Sequence, residues 1–272
     1  MSENLDGLGI PIHVGNIQDK KLVRSAMHGA DYVLHQAALP SVVRSVEDPW
    51  ASFDANVVGS MTVFETAREL GVRRIVYAAS SSAYGETETL PKVETMPANP
   101  VSPYGVFKAF GEDLCRVWSK VFGMECVALR YFNVFGPRQR PDSEYAAVIP
   151  KFIRLMSKGE RPVIYGDGTQ SRDFCFIDNV VEANLKAMES PAAPGNVYNV
   201  ACGQRTSLLE LVTQLNFILG TNLEPVLKPS RSGDIKHSLA DITEAQQDLG
   251  YSAKVLFPEG LRRTVDWHLR RV

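Results

Sequence analysis

The chain has 272 residues, 44% hydrophobic and 22% charged, with 29 basic against 31 acidic side chains and a formal net charge of -2. That balance suits a globular protein with a sizeable core and excludes recognition of nucleic acid or membrane through bulk charge. No apolar run approaches the roughly 20 residues of a membrane-spanning helix, and no basic stretch leads into an apolar one at the amino terminus; a soluble, cytoplasmic chain is expected.

In chain order, Ile10 to Val14 reads as a first strand and Asp31 to His35 as a second, each rich in β-branched or aromatic residues. Between residues 50 and 70, Phe53, Val57, Met61, Phe64 and Ala67 recur at spacings of three and four, which predicts a helix closed by Gly71. Arg74 to Ala79 reads as a strand. Ser102 is a good N-cap and Pro103 a favoured first residue for a helix running to about Phe122, with Gly123 beyond its end. Glu125 to Tyr131 reads as the next strand. Strand and helix in alternation imply an α/β fold, with a parallel sheet covered on both faces. Beyond residue 136 proline is frequent and the pattern less regular, with helical stretches at 207–219 and 257–270. The expected division is 1–136 for the sheet-based portion and 137–272 for a smaller α+β lobe, some segments of which return to the first. Cys115, Cys126, Cys175 and Cys202 have no C-x-x-C spacing, which points to reduced thiols, and the five histidines have no metal-ligand spacing.

Tyr104 and Lys108 stand one turn apart on one face of the predicted helix. A phenol of pKa about 10 is a poor base at neutral pH, but a nearby ammonium group favours the phenolate. Such a tyrosine could take a proton from a sugar hydroxyl while hydride leaves the same carbon for a nicotinamide. Tyr-x-x-x-Lys also occurs by chance in many helices. Ser80, Ser81 and Ser82 follow the strand ending at Ala79, at the carboxyl end of a parallel strand, where open α/β sheets bind ligands. A serine-rich turn without function is the plainer alternative for them.

Several further segments fall in order along the chain: His35-Gln36-Ala37-Ala38, Asn56-Val57-Val58-Gly59, Ala79 to Gly85, Pro103 to Lys108, Arg130 to Pro137, Tyr165 to Gly168, Ser171 to Phe174 and Arg231 to Asp234. With these the sequence resembles the extended short-chain dehydrogenase/reductase family, and within it the UDP-hexose 4-epimerases. The resemblance implies a Rossmann-like doubly wound sheet, NAD as cofactor, a UDP-sugar as substrate and a homodimer formed through helices 50–70 and 103–122. It implies Ser80, Tyr104 and Lys108 as the catalytic triad. Asn16 and Ile17 would lie near the adenine; Ala37, Ala38, Asn56 and Tyr131 would line the rest of the cofactor site. Asn133, Val148, Tyr165, Arg172, Arg231 and Asp234 would hold the uridine diphosphate, and Ser41, Ser81, Ser82 and Ser238 would approach the sugar. Arg172 and Arg231 offer the bidentate donors a pyrophosphate needs, although salt bridges to Asp173 or Asp234 would occupy them equally well.

Within that family, dehydratases and decarboxylases resemble one another in carrying acids just after the catalytic hydroxyl residue. Here those positions are Ser81 and Ser82, which favours epimerisation through a 4-keto sugar. Members restricted to plain hexoses resemble one another in having a bulky tyrosine at the position of Ser238; the small residue implies UDP-N-acetylglucosamine and its galacto epimer as substrates, with UDP-glucose alongside. Ser238 as an ordinary loop residue is the alternative. The amino-terminal region departs from the family pattern. The family's G-x-x-G-x-x-G turn between strand and helix has no counterpart, since Gly7-Leu8-Gly9 precedes a predicted strand, and Asn16 replaces the usual aspartate. The chain is therefore expected to lack the first βαβ unit, and a sugar-nucleotide-binding remnant without turnover is the rival to an active epimerase.

Overall fold

The computed structural model describes residues 4–139, 147–230 and 236–270. Helix α1 (Lys20–Met27) starts at Asp19, whose carboxylate accepts the N–H groups of Lys21 and Leu22. Strand β1 is Tyr32–His35. Helix α2 (Val42–Glu47) and helix α3 (Pro49–Phe53) lead through a π-helical turn, Asp54–Val58, directly into α4 (Gly59–Leu70). The last three fill the stretch predicted as one helix, and Gly71 closes it in the left-handed conformation at φ 69°. Strand β2 (Arg74–Ser80), helix α5 (Pro103–Phe122) and strand β3 (Glu125–Tyr131) follow close to the predicted bounds.

The later part of the chain contains β4 (Val134–Phe135), α6 (Val148–Met156), β5 (Val163–Tyr165), β6 (Ser171–Arg172), β7 (Cys175–Phe176) and α7 (Ile177–Glu189). After these come β8 (Val197–Val200), β9 (Thr206–Ser207), α8 (Leu208–Leu219), β10 (Val226–Lys228), α9 (Thr243–Leu249) and α10 (Phe257–Leu269). The main sheet is parallel, in the order β1-β2-β3-β8. One face carries Ile75, Tyr77, Ala79, Cys126 and Ala128 against Val23 of α1, Phe64 and Ala67 of α4, and Leu114 and Trp118 of α5. The other face carries Val76, Val127, Leu129 and Val200 against Val180, Ala183 and Ala187 of α7 and Ala245 and Leu249 of α9. Both faces are thus sealed, as the near-continuous apolar runs of β2 and β3 require. A separate apolar cluster joins α6, α8 and α10 around Phe135, Phe174 and Phe176. All four cysteines are free and buried. Among the described residues no helix is long and apolar enough to cross a membrane.

One predicted element is absent. Ile10 to Val14 is not a strand; among the described residues it pairs with no neighbour, and Ile10, Ile12 and Val14 are 52%, 55% and 89% exposed. Alternating apolar residues form a strand only where a ladder partner takes their backbone groups and a surface buries one side-chain set. Among the described residues neither is available here, and β1 stands at the sheet edge with Leu34 42% exposed. Conversely, β8 and α7, which no sequence pattern predicts, return to the main sheet.

Candidate active site

Ser80 is the last residue of β2, and its side chain caps the 3-10 turn Ser81–Tyr84 by accepting the N–H of Ser82 at 3.2 Å. Its hydroxyl also donates to Ser82 Oγ at 3.1 Å. Helix α5 begins beside this turn. Ser102 accepts the N–H of Gly105 at 3.1 Å, and Ser45 of α2 accepts the N–H of Tyr104 at 3.1 Å. Gly105 is what permits the approach, because a Cβ there would lie 2.8 Å from the Ser82 carbonyl oxygen. A second glycine, Gly111, lets the helix lie against the Tyr77 ring, which a Cβ would overlap. Neither role is visible in a sequence that simply scores glycine as a poor helix former.

Lys108, 3% exposed, points along the same helical face and donates from Nζ to the Ala78 carbonyl at 2.8 Å. Its Nζ is 5.0 Å from the Tyr77 ring centroid and 5.9 Å from that of Tyr104. Burial pushes its pKa down to about 8, so the ammonium still predominates at pH 7. Tyr104 corrects the expectation that the lysine governs its acidity. Burial raises the phenol above its ordinary value, and the hydrogen bond with Ser80 opposes the rise. The lysine Nζ is directed to the Ala78 carbonyl, and burial of the phenol, not the lysine, sets the direction of its shift.

His35, the last residue of β1, is buried against the Tyr77 ring at 5.6 Å between centroids. Its Nε2 lies 3.0 Å from Ser60 Oγ, and burial, with a smaller contribution from Lys108, pushes its pKa down to about 4 from 6.5. The folded chain therefore holds His35 neutral where the unfolded chain would protonate it. This stability is complete above pH 6.5 and is lost as pH falls toward 4, by about 3 kcal/mol at the lower end. Urea unfolding at pH 7 and pH 4.5 should register the loss, and His35→Gln should flatten the dependence.

Of the residues expected at the cofactor site, Ala37, Ala38 and Tyr131 fall at the carboxyl ends of β1 and β3. Ala37 and Ala38 lie just beyond β1. Asn56, 1% exposed, contacts the loop rather than open space: its Oδ1 accepts the Leu39 N–H at 2.9 Å, and its Nδ2 donates to Leu39 O and Ser52 Oγ. The Tyr131 hydroxyl donates toward Gln36 Oε1 at 3.1 Å and accepts from Asn184 Nδ2 at 2.8 Å. Sequence reasoning missed Gln36 and Asn184 as partners here, although Gln36 lies within the segment His35 to Ala38. Asn16 is exposed and accepts the Gln18 N–H, while Ile17 packs where a Cβ on Gly59 would sit.

The residues expected at the substrate divide into three groups. Asn133, Val148, Tyr165 and Arg172 converge on one cavity of about 300 Å³ floored by Phe135, Phe152 and Phe174. Asn133 adopts φ 31°, and its Nδ2 donates to the Asp173 carbonyl at 3.3 Å. Asp173 itself turns inward, where its carboxylate accepts the N–H groups of Cys202, Gly203 and Ala240. Its carboxylate is thereby engaged away from Arg172, whose Nη1 donates to the carbonyls of Ser171 and Lys236. Ser41, Ser81, Ser82 and Ser238 form the second group and do not line this cavity. Ser41 caps α2 through the Arg44 N–H, Ser81 and Ser82 belong to the turn after β2, and Ser238 N–H donates to Ser171 O beside Arg172. Arg231 and Asp234, the third group, lie outside the described residues.

Residues 2–201 match a known family, described as the NAD dependent epimerase/dehydratase family. The chain belongs to that family. A UDP-glucose 4-epimerase of Mycolicibacterium smegmatis is 38% identical over 87% of this chain and 75% of the relative. A solved UDP-N-acetylglucosamine 4-epimerase from Methanobrevibacter ruminantium M1, in complex with UDP-N-acetylmuramic acid, superposes with a TM-score of 0.91. It is 37% identical, over 95% of this chain and 82% of that one. The Thermus thermophilus UDP-glucose 4-epimerase complexed with NAD also gives 0.91, at 33% identity over 100% of this chain and 88% of that one. The Rossmann-like α/β fold is shared with these family structures.

Proposed function

We propose that this chain is an NAD-dependent UDP-hexose 4-epimerase, acting on UDP-N-acetylglucosamine and UDP-N-acetylgalactosamine and also on UDP-glucose and UDP-galactose. One observation carries the reading: Ser80, Tyr104 and Lys108 meet at the carboxyl end of the sheet, with Ser81 and Ser82 rather than acids beside them. Oxidation of C4 and its reversal require one proton to leave the C4 hydroxyl and later return. Tyr104 accepts that proton as a phenolate, holds it as a phenol between the two events and then gives it back. Ser80 shares a hydrogen bond with the same oxygen, and Lys108 supplies positive charge nearby. No second acid or base is needed, because the 4-keto sugar only has to present its other face.

The residues fit NAD at one end. Lys108 has three N–H donors, and among the described residues only the Ala78 carbonyl accepts one of them, which leaves donors for ribose hydroxyls. Ala37 and Ala38 leave space beyond β1, and Tyr131 flanks it. NAD, when bound, accepts and returns the hydride at C4. At the other end, among the described residues, no glycine-rich turn joins a strand to a helix; Gly7 and Gly9 have nothing within 4 Å of an added Cβ. A sugar-nucleotide-binding protein without turnover is the second reading.

The cavity of Asn133, Val148, Tyr165 and Arg172 supports a uridine diphosphate site; Arg231 and Asp234, outside the described residues, are read as ligands of the same group. Small Ser238 supports acceptance of the N-acetyl group. Residues 1–136 are read as the cofactor portion and 137–272 mainly as the substrate lobe. Exposed Trp50, Met61 and Val106, at 75%, 39% and 48%, support a homodimer through α3, α4 and α5. The deciding experiment incubates the purified chain with NAD and UDP-N-acetylglucosamine and assays for UDP-N-acetylgalactosamine. Interconversion supports the epimerase. Tight UDP binding without NAD binding, by calorimetry, would leave the second reading, and release of a 4-keto product would indicate a dehydratase.

A further inference from the structure

Beneath the triad lies a buried charged group that the reaction does not use. Arg130, 5% exposed, lies on β3 opposite Ala79, next to the Tyr131–Ser80 pair. Its Nε and Nη2 donate to the two carboxylate oxygens of Glu112 at 2.8 and 2.7 Å. Its guanidinium carbon sits 4.4 Å from the ring centroid of Tyr84. Glu112 follows Tyr104 and Lys108 at successive four-residue steps along α5, so all three share one helical face. Tyr84 ends the turn that begins at Ser80, and its hydroxyl donates to Asn199 Oδ1 of β8 at 2.8 Å.

We infer that Glu112, Arg130 and Tyr84 are positioning residues that set the separation between Ser80 and the Tyr104–Lys108 pair. The inference rests on the epimerase reading above. One rigid plane joins the two catalytic elements: its edge holds the helix and its face holds the serine turn. A bidentate pair fixes distance and angle together, which apolar packing of equal volume does not. Stability alone is a poor explanation for it. Buried ion pairs are often no better than hydrophobic replacements, and Arg130 Nη1 is buried without a hydrogen-bond partner.

Glu112→Asp keeps the charge and shortens the arm by one methylene; Arg130→Lys keeps the charge and removes the plane. Each should lower kcat for 4-epimerisation by about tenfold to a hundredfold, with KM for the UDP-sugar within about threefold, because roughly 1 Å of misplacement is enough for that. Tyr84→Leu, which removes the ring from the guanidinium face, should behave like Glu112→Asp. A folded Glu112→Asp chain with wild-type kcat, or one in which KM rises as much as kcat falls, overturns the inference. A crystal structure of Glu112→Asp tests it independently: the Ser80–Tyr104 hydroxyl separation should change, and an unchanged separation overturns the positioning role. If the wild-type chain shows no turnover, the epimerase reading fails, and the crystal structure alone decides this one.

Discussion

Tyr104→Phe is expected to reduce kcat by about 10²–10⁴, the usual worth of a positioned acid–base group. Only the hydroxyl is lost, and the ring keeps its half-buried place at the start of α5. Affinity for UDP should stay within about threefold, because Asn133, Val148, Tyr165 and Arg172 line a cavity that does not include Tyr104. Parallel loss of UDP binding would mean that the tyrosine acts structurally. The wild-type pH profile gives a second check. Lys108 titrates at about 8 and holds positive charge near a phenolate that burial disfavours. As pH rises through 8 the ammonium is lost, so kcat should decline on the alkaline side. Lys108→Met should remove that limb along with most of the activity.

Arg74→Ala is expected to be the most destabilising of the simple substitutions away from the site, and its effect does not depend on any function. Arg74 is 1% exposed at the start of β2. Its Nη1 donates to the carbonyls of Ala187, Met188 and Ser190 at 2.8, 2.8 and 2.7 Å, and its Nε donates to Glu125 at 2.7 Å. It therefore caps the carboxyl end of α7, where a helix has carbonyls without intrahelical partners and a cation is favoured. Truncation takes this donor from the Ala187 and Met188 carbonyls and leaves Ser190 with the N–H of Ala193 at 3.4 Å, at a cost of about 3–5 kcal/mol. For a chain of this length that corresponds to a fall in Tm on the order of 10 °C. Chemical denaturation followed by circular dichroism would measure it. Glu125→Gln should cost under about 1 kcal/mol, because that partner is 36% exposed and its removal leaves the three carbonyl bonds in place. Equal losses from both substitutions would show that the ion pair, not the helix cap, is what matters.

Much of the site was legible because it is locally encoded. Ser102, Pro103 and Gly123 bound α5 through capping chemistry that needs no tertiary partner. Four-residue spacing then places Tyr104 and Lys108 on one face. The apolar runs of β2 and β3 announce a sheet buried on both sides. Local pattern was not enough elsewhere. Ile10 to Val14 has the composition of a strand but no ladder partner among the described residues, and pairing is a property of the neighbour as much as of the segment. Val197–Val200 is short and carries no strong signal in sequence, yet it completes the sheet because β3 offers it a free edge.

By itself, then, the sequence determined the helix that bears Tyr104 and Lys108, the serine turn after β2 and the alternation that makes a parallel sheet, since each follows from backbone propensity and side-chain period. The tertiary structure decided the distance between those pieces and the state of their protons. Gly105 and Gly111 matter only because Ser82 and Tyr77 lie against them. Asn133, Val148, Tyr165 and Arg172, far apart in sequence, share a cavity only once the chain has folded. Tyr104 keeps its proton more firmly than its neighbour Lys108 suggests, because dehydration is set by everything packed around the phenol and not by the residue one turn away.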